Sequence, residues 1–239
     1  MIPKIIHYCW LSSEPYPELV QRCMASWSKY LKDYELVLWN FDRFPKGKNI
    51  WVDEAYNYHK YAFAADYIRL YALYNYGGIY LDTDVEILKS FDSLLQLPYF
   101  IGKEQSGSGI EAAIIGAEAG TLWLKDCLDY YENRHFKLGF GLFSRKALPS
   151  ILRERIEQKR QLKFVSSINS FILDDKFVCI FPIDWFSPKS FLTGEIKTTQ
   201  DTIAIHHFVG AWAKNRLDEK IRAQLSKYKK ILLHLLGQR

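Results

Sequence analysis

The 239-residue chain has no long hydrophobic run. Its longest stretches without Asp, Glu, Lys or Arg are 12 residues long, at 70–81 and 202–213. A membrane-spanning helix needs about 20 apolar residues, so we expect none in this chain. The first seven residues also lack the charged start, long apolar run and cleavage site of a secretory signal, so we expect no such signal.

Cysteine is scarce and unpaired in spacing. The four cysteines, Cys9, Cys23, Cys127 and Cys179, lie far apart along the chain. This spacing excludes a disulfide framework of the secreted type and a zinc ribbon. We expect reduced thiols and a cytoplasmic protein.

Apolar and aromatic residues are plentiful. Hydrophobic residues make up 49% of the chain and charged residues 25%, which is typical of a folded protein with a sizeable core. The chain has 7 Trp, 16 Tyr and 15 Phe. Such rings suit a packed core and also suit stacking against flat ligands.

The net charge of +5 is concentrated at the C-terminus. Residues 214–239 carry +6, which leaves −1 for residues 1–213. The body therefore shows no basic stripe and no nucleic-acid reader motif, so we expect no nucleic-acid partner. The basic tail has a separate role or a separate environment.

Hydrophobic periodicity predicts an α/β fold with a largely parallel sheet. Strands are predicted at 2–10, Glu35–Trp39, 79–81, 112–116 and 178–181, and helices at 15–30, 60–76, 121–132 and 145–160. The helix at 60–76 is the strongest, and it ends at Gly77, where glycine allows a left-handed cap. One face of this helix contains Ala64 or Ala65, Ile68, Tyr71, Ala72 and Asn75. We expect one catalytic domain over 1–213 and a C-terminal helix over 214–239.

Asp82 and Asp84 follow directly after a short buried strand. Two carboxylates at this spacing would share a divalent cation, because Mg²⁺ and Mn²⁺ prefer oxygen ligands. Ligands commonly bind at strand ends of open α/β sheets. The alternative is a pair of solvated carboxylates in a turn, since aspartate is common in turns.

Three further side chains are expected near this pair. Asp66 and Arg69 lie one helical turn apart, so they share a face and form either an ordinary ion pair or a grip on a polyhydroxylated ligand. Tyr80 faces the same side as Asp82, because side chains alternate along a strand. A packed strand aromatic is the other interpretation of Tyr80.

The spaced set Asp66, Arg69, Tyr80, Asp82 and Asp84 closely resembles the sugar-donor site of glycosyltransferase family 32. The glucosylating domains of large clostridial toxins share this motif. The likeness extends to 2–10, to the segment from Cys23 to Trp27, to 33–39 and to 205–212. The resemblance implies a GT-A fold, a nucleotide-sugar donor, a Mn²⁺ or Mg²⁺ ion, and retention of the anomeric configuration.

The resemblance also implies roles for the aspartates and their neighbours. Asp84 would bind the metal and Asp82 would contact the ribose and the metal, whose charge neutralises the leaving diphosphate. Asp66 and Arg69 would hold the hydroxyls of the donor sugar and position the phosphates, and Tyr80 would contact the donor.

Two tryptophans and a histidine complete the expected site. Trp10 would stack on the nucleobase, unless it is simply a core residue. His207 is the expected third metal ligand, because neutral imidazole binds Mn²⁺ and the adjacent His206 faces the opposite way on an extended strand. Trp212 would donate its indole N–H to the leaving phosphate. Ala211 stands where the family more often has serine, so a hydroxyl contact is lost there.

The function expected from these residues and this resemblance is a retaining, metal-dependent glycosyltransferase of bacterial surface polysaccharide synthesis. We expect a nucleotide-sugar donor, in the first place a UDP-sugar, and a saccharide or lipid-linked acceptor. A sugar-1-phosphate nucleotidylyltransferase is an alternative, but the first strand is not followed by a phosphate loop rich in Gly and Arg. A membrane-associated carbohydrate-binding or scaffold protein with a degenerate site is a second alternative. The intact aspartates and Arg69 argue against it.

The basic tail has amphipathic helical spacing. An apolar stripe runs from Leu217 through Ile221 and Tyr228 to Leu235, with Lys and Arg on the other faces. Such a helix lies in the interface of an anionic membrane, so we expect peripheral attachment to the inner face of the cell membrane. The alternative is that the stripe packs on the domain or on a partner.

Overall fold

The computed structural model describes residues 1–104, 109–137, 146–191 and 193–209. Residues Met1–Val209 cluster as one structural unit. Trp212 and the predicted helix at 214–239 lie outside the described residues, so the division at residue 213 stays a prediction.

Helices and strands alternate through the first half of the chain. The elements are β1 (Ile5–Cys9), α1 (Glu18–Tyr30), β2 (Glu35–Trp39), α2 (Ile50–Asn57), α3 (Tyr61–Tyr76), β3 (Gly78–Leu81), β4 (Val85–Ile87), β5 (Tyr99–Ile101), β6 (Ile114–Ala117), α4 (Leu122–Leu128), α5 (Leu148–Glu157), β7 (Gln161–Phe164), β8 (Phe177–Ile180), α6 (Ile183–Phe186) and β9 (Ala204–His206).

A five-stranded sheet with the order β2-β1-β3-β6-β5 forms the centre of the fold. Strands β2, β1 and β3 pair in parallel, and β6 is antiparallel to both β3 and β5. Four of the five strands therefore point the same way, as the predicted α/β class requires. The parallel pair β7–β8 joins this sheet beside β5 through a bridge between Gly102 and Phe181, and β4 pairs with β9 in a separate antiparallel ribbon.

Hydrophobic cores lie on both faces of the sheet. In β3, Ile79 and Leu81 belong to the core that contains Trp27 of α1, whereas Tyr80 belongs to the core formed with α2, α3, α4 and α5. Every residue of β3 is buried. A strand covered on both faces reads as a continuous apolar run, which is why this strand was predictable despite its shortness.

The predicted elements agree with the structure wherever the sequence pattern is long. Strand β2 has the predicted bounds, and α3 begins one residue later than predicted. The predicted helix at 121–132 is shorter as an α-helix and continues as a 3₁₀ turn. Asn75, which the periodicity places on the same face as Ile68 and Ala72, is exposed, because the last turn of this helix lies at the surface. The elements that were not predicted are α2, β4, β5, β7, α6 and β9, and most of them span only three or four residues.

His7 holds the start of β3 in place. Its Nδ1 accepts a hydrogen bond from the Trp39 indole at 3.1 Å, so its Nε2 carries the proton and donates to the Gly77 carbonyl at 2.7 Å. Burial lowers the pKa of His7, which favours this neutral form. Gly78 has φ of 103°, and a Cβ there would lie 2.7 Å from the Ile5 carbonyl oxygen. These contacts fix β1, β2 and β3 against each other and so set where β3 ends.

All four cysteines are buried and free. Among the described residues, no helix has the length and apolar character needed to span a bilayer.

Candidate functional site

The candidate site lies where β3 ends. Strands β1 and β3 are parallel, with His7 opposite Tyr80, so Trp10 and Asp82 emerge at the same edge of the sheet. After β3 the chain turns sharply, because the Val85 amide donates to the Asp82 carbonyl at 3.0 Å. This turn contains both aspartates of the motif.

Arg69 connects the helix residue Asp66 to the strand-end residue Asp82. Its Nη2 lies 3.2 Å from Asp66 Oδ1 and 3.1 Å from Asp82 Oδ1, and its Nη1 donates to the Ala112 carbonyl. Its side chain is only 5% exposed. Of the two alternatives for Asp66 and Arg69, the ion pair is therefore present, and the same guanidinium also contacts Asp82.

Tyr80 lies beneath this group, as predicted. Its hydroxyl donates to Asp82 Oδ1 at 3.1 Å, and the Arg69 guanidinium lies 4.6 Å from the centre of its ring. Tyr80 is thus both a buried strand aromatic and a contact of Asp82.

Burial perturbs both carboxylates that face Arg69. Desolvation raises the pKa of Asp66 to about 7, with Arg69 acting in the opposite direction. Desolvation also raises the pKa of Asp82, and the negative charge of Asp84 adds to this effect. Perturbed carboxylates of this kind are common at functional sites.

Asp82, Asp84 and His206 form a cluster suited to a cation. Each offers a ligand atom, and these atoms all lie within 4.8 Å of one another. His206 Nε2 lies 3.7 Å from Asp84 Oδ1, and His206 Nδ1 lies 3.3 Å from Glu111 Oε1. Burial disfavours charge on this imidazole, but Glu111 and Asp84 outweigh it and raise the pKa of His206 to about 9.

The predicted third ligand, His207, is directed elsewhere. Its Nε2 lies 2.8 Å from Glu86 Oε2, and Lys189 Nζ lies 3.3 Å from its Nδ1. The two histidines do face opposite ways, as expected of an extended strand, but the structure places His206 beside the aspartates. The reason is the turn after β3, which directs Asp84 toward His206, whereas Glu86 stays on the face of His207.

The segment after β9 is tied to Asp84 through its backbone. The Val209 amide donates to Asp84 Oδ2 at 2.8 Å, and the His207 amide donates to the Asp84 carbonyl at 3.1 Å. Between them, Phe208 has a positive φ of 55°, which is rare for a residue other than glycine. Its ring lies 4.0 Å from the imidazole of His206. A left-handed residue at a site of this kind is an observed strain that the surrounding contacts maintain.

Trp10 lies at the same sheet edge and is partly buried. Its indole donates to the Glu14 carbonyl at 3.0 Å, and its ring makes an edge contact with Tyr16 at 4.6 Å. Trp10 is thus neither fully buried nor fully exposed. Trp212 is not among the described residues.

The residues present fit a divalent cation. Two carboxylates and an imidazole are a common ligand set for Mn²⁺, and the group of Asp66, Asp82, Asp84 and Glu111 carries more negative charge than Arg69 and His206 balance. Asp82 is already engaged by Arg69 and Tyr80, so Asp84 is the carboxylate most available to a cation.

Sequence reasoning missed Glu111 and Ser187. The Ser187 hydroxyl donates to Glu111, and Glu111 is 1% exposed. The signal for Glu111 was its position, since it is the one charged residue in the apolar stretch 109–117 that enters β6. Ser187 left no comparable signal.

Asp66→Asn is expected to change how stability depends on pH. The pKa of Asp66 is raised from 3.8 to about 7 by burial, so between these values only the unfolded chain releases this proton. The ionisation of Asp66 therefore lowers the free energy of unfolding as the pH rises through this range. Asparagine cannot ionise, so the variant does not lose stability in this way. Urea unfolding in EDTA measures the free energy of unfolding of both proteins at pH 4 and at pH 8. The value for the variant minus the value for the unsubstituted protein should be more positive at pH 8 than at pH 4. The control is Asp201→Asn, a substitution of an exposed aspartate. If the difference in free energy of unfolding depends on pH as little for Asp66→Asn as for this control, the raised pKa of Asp66 is contradicted.

Comparisons with known proteins bear on this site. A family model described as a glycosyltransferase sugar-binding region containing the DXD motif matches residues 17–101, which include all five motif residues from Asp66 to Asp84. The chain is 37% identical over 127 residues to inositol phosphoceramide mannosyltransferase 3 of Schizosaccharomyces pombe, covering 52% of this chain and 35% of that protein. It is 32% identical over 124 residues to a mannosyl phosphorylinositol ceramide synthase of Saccharomyces cerevisiae, covering 49% and 32%. The match thus spans about a third of the length of these relatives.

A solved structure supports the fold. The PaToxG glycosyltransferase structure aligns with a TM-score of 0.50 and 20% sequence identity, covering 66% of this chain and 68% of that chain. Residues 17–101 are therefore similar to the DXD-containing sugar-binding region of glycosyltransferases, and the mixed α/β fold resembles GT-A glycosyltransferase structures.

Proposed function

We propose that this protein is a metal-dependent glycosyltransferase that moves a sugar from a nucleotide-sugar donor to a hydroxyl group of a saccharide or lipid-linked acceptor. The observation that carries the proposal is the joint placement of the Arg69 ion-pair group and the cluster of Asp82, Asp84 and His206 at one sheet edge. A degenerate binding protein has no need for both. The DXD match over 17–101 supports the same conclusion.

The chain's own residues have distinct tasks in this reaction. Asp84 and His206, with Asp82 beside them, would hold a divalent cation, which supplies positive charge against the diphosphate as it leaves. Arg69 fixes the two carboxylates of Asp66 and Asp82 in one geometry. Its two terminal nitrogens already contact these carboxylates and the Ala112 carbonyl. This arrangement supports a positioning role for Arg69 more than direct binding of a phosphate. Asp66 would accept hydrogen bonds from hydroxyls of the donor sugar.

The donor and acceptor are the finer parts of the proposal. We propose a UDP-sugar, a reaction with retention of configuration, and a lipid-linked acceptor of bacterial surface polysaccharide synthesis, on the resemblance of the motif. The names of the fungal relatives favour a mannosyl donor and a sphingolipid acceptor instead. A panel of UDP- and GDP-sugars, read by Mn²⁺-dependent hydrolysis and by donor-induced thermal stabilisation, separates these donors. The anomeric configuration of the fresh product is read by NMR.

Asp84→Asn is expected to abolish transfer and leave the fold intact. The substitution removes a charge that the cation needs and adds no volume, while the amide oxygen still accepts from Val209. Mn²⁺ affinity and turnover should fall together by about 100-fold, or about 2.7 kcal/mol. Calorimetric Mn²⁺ titration and donor hydrolysis are the measurements. Glu86→Gln removes one charge from a nearby side chain outside the cluster and is the matched control. Unchanged turnover in Asp84→Asn would refute the proposal.

Trp10→Ala tests contact with the nucleobase. If the ring stacks on the base, the donor KM should rise much more than kcat falls, because stacking is similar in the ground and transition states. Steady-state kinetics with the identified donor measures both constants. A loss of thermal stability with unchanged donor affinity would show that Trp10 serves only as a core residue.

The basic tail at 214–239 forms a separate part of the proposal, namely attachment to the inner face of the cell membrane. Each basic residue near an anionic surface contributes roughly 1 kcal/mol, so replacing Lys227, Lys229 and Lys230 by Gln should weaken vesicle binding by roughly 100-fold. Co-sedimentation of the full chain with phosphatidylserine-containing vesicles at low salt measures this. Replacement of the exposed Lys32, Lys176 and Lys197 is the matched control. If the full chain does not co-sediment, or the tail variant binds as well, the tail does not attach the protein to membranes.

A further inference from the structure

We propose that Glu111 is a positioning residue that orients the imidazole of His206 toward the cation, with Ser187 holding Glu111 in place. This inference rests on the metal-dependent transfer proposed above. It assigns a role to two residues that lie outside the DXD motif and outside the segment that follows β9.

Glu111 is a buried carboxylate whose two oxygens both have hydrogen-bond partners. Its Oε1 accepts from the Ala113 amide at 2.8 Å, and its Oε2 accepts from the Ser187 hydroxyl. His206 Nδ1 lies 3.3 Å from Oε1 and 3.4 Å from Oε2. Among the described residues, His206 is its only ion-pair partner, so no Lys or Arg competes for this carboxylate.

The order of contacts across the ring determines which nitrogen is available. A carboxylate beside Nδ1 keeps the proton on that nitrogen, so a binding cation displaces the proton of Nε2 and takes the lone pair of Nε2. Nε2 is the atom that faces Asp84, and their separation of 3.7 Å is too long for a hydrogen bond. The imidazole therefore directs Nε2, the atom that a cation would bind in place of its proton, toward Asp82 and Asp84.

Ser187 and Phe208 restrict the movement of this pair. Ser187 is fully buried after α6, and its hydroxyl fixes the second oxygen of Glu111. The Phe208 ring covers the imidazole from another side at 4.0 Å. A ligand held by a hydrogen-bonded partner loses less entropy when a metal binds, and loss of such a partner typically lowers metal affinity by about 10- to 100-fold.

The chain contains its own matched control. His207 also pairs with a carboxylate, that of Glu86, through its Nε2 at 2.8 Å, but neither residue belongs to the cluster of Asp82, Asp84 and His206. Glu86→Gln and Glu111→Gln therefore make the same chemical change beside two adjacent histidines, and only the second is expected to affect the cation.

The test uses the full chain loaded with Mn²⁺ in the absence of a donor. Electron spin-echo spectroscopy detects a ¹⁴N nucleus bonded to Mn²⁺, and calorimetry gives the affinity. The unsubstituted protein and Glu86→Gln should both show the nitrogen signal, and His206→Asn should not. Glu111→Gln should weaken the signal and reduce the affinity by about 10- to 100-fold. Ser187→Ala keeps the Glu111 carboxylate and should reduce the Mn²⁺ affinity several-fold. This variant replaces Glu111→Gln in the test if Glu111→Gln does not fold.

The outcomes separate this inference from the proposed function. If Mn²⁺ binds with a nitrogen signal, and neither Glu111→Gln nor Ser187→Ala changes this signal, the role of Glu111 is overturned. The proposed function is then unaffected. Bound Mn²⁺ without a nitrogen signal in the unsubstituted protein would overturn it as well, while leaving metal-dependent transfer possible through the aspartates. Absence of Mn²⁺ binding would overturn both. Thermal unfolding in EDTA reports any purely structural role of Glu111, which would lower stability without a selective loss of metal affinity.

Discussion

A buried guanidinium requires counter-charges within reach, and Arg69, buried between α3 and β3, imposes this condition on the residues around it. Asp66 meets it from the same helix, one turn away, and Asp82 meets it from the strand end. Because Arg69 binds both, the register of α3 against β3 cannot shift without leaving a charge unpaired. The position of the whole turn after β3 follows from this one interaction.

The same interaction makes the two aspartates of the motif unequal. Both carboxylate oxygens of Asp82 contact the Arg69 guanidinium, and one of them also accepts a hydrogen bond from the Tyr80 hydroxyl. Among the residues that the structure describes, Asp84 accepts a backbone amide on one oxygen and presents the other oxygen toward His206. A planar guanidinium can engage two carboxylates in this fixed geometry, whereas a lysine ammonium acts as a point charge. The residue between the two carboxylates of Asp66 and Asp82 therefore has to be arginine for Asp84 to remain available.

Much of the fold and part of the site were predictable from local pattern. Helix α3 is long and strongly periodic, and β3 is a short continuous apolar run that ends before Asp82. The positions of Asp66 and Arg69 followed from the helix period, and those of Tyr80 and Asp82 followed from this run. Strands β4 and β9 are three residues each, too short for such a signal. Glu111 and Ser187 reach the site only through tertiary contacts, since 76 positions separate them in sequence, and no local rule connects them.

The choice between His206 and His207 shows where alternation along a strand stops being informative. In the β4–β9 ladder, Val85 is opposite His206, so an uninterrupted strand would place Asp84, Glu86 and His207 on one face. The hydrogen bond from the Val85 amide to the Asp82 carbonyl closes a turn at this point, and a turn breaks the two-residue period. Asp84 is thereby directed to the face of His206, while Glu86, one residue past the turn, keeps the ladder and pairs with His207. A single backbone hydrogen bond thus decides which histidine joins the aspartates, and side-chain chemistry alone cannot distinguish the two.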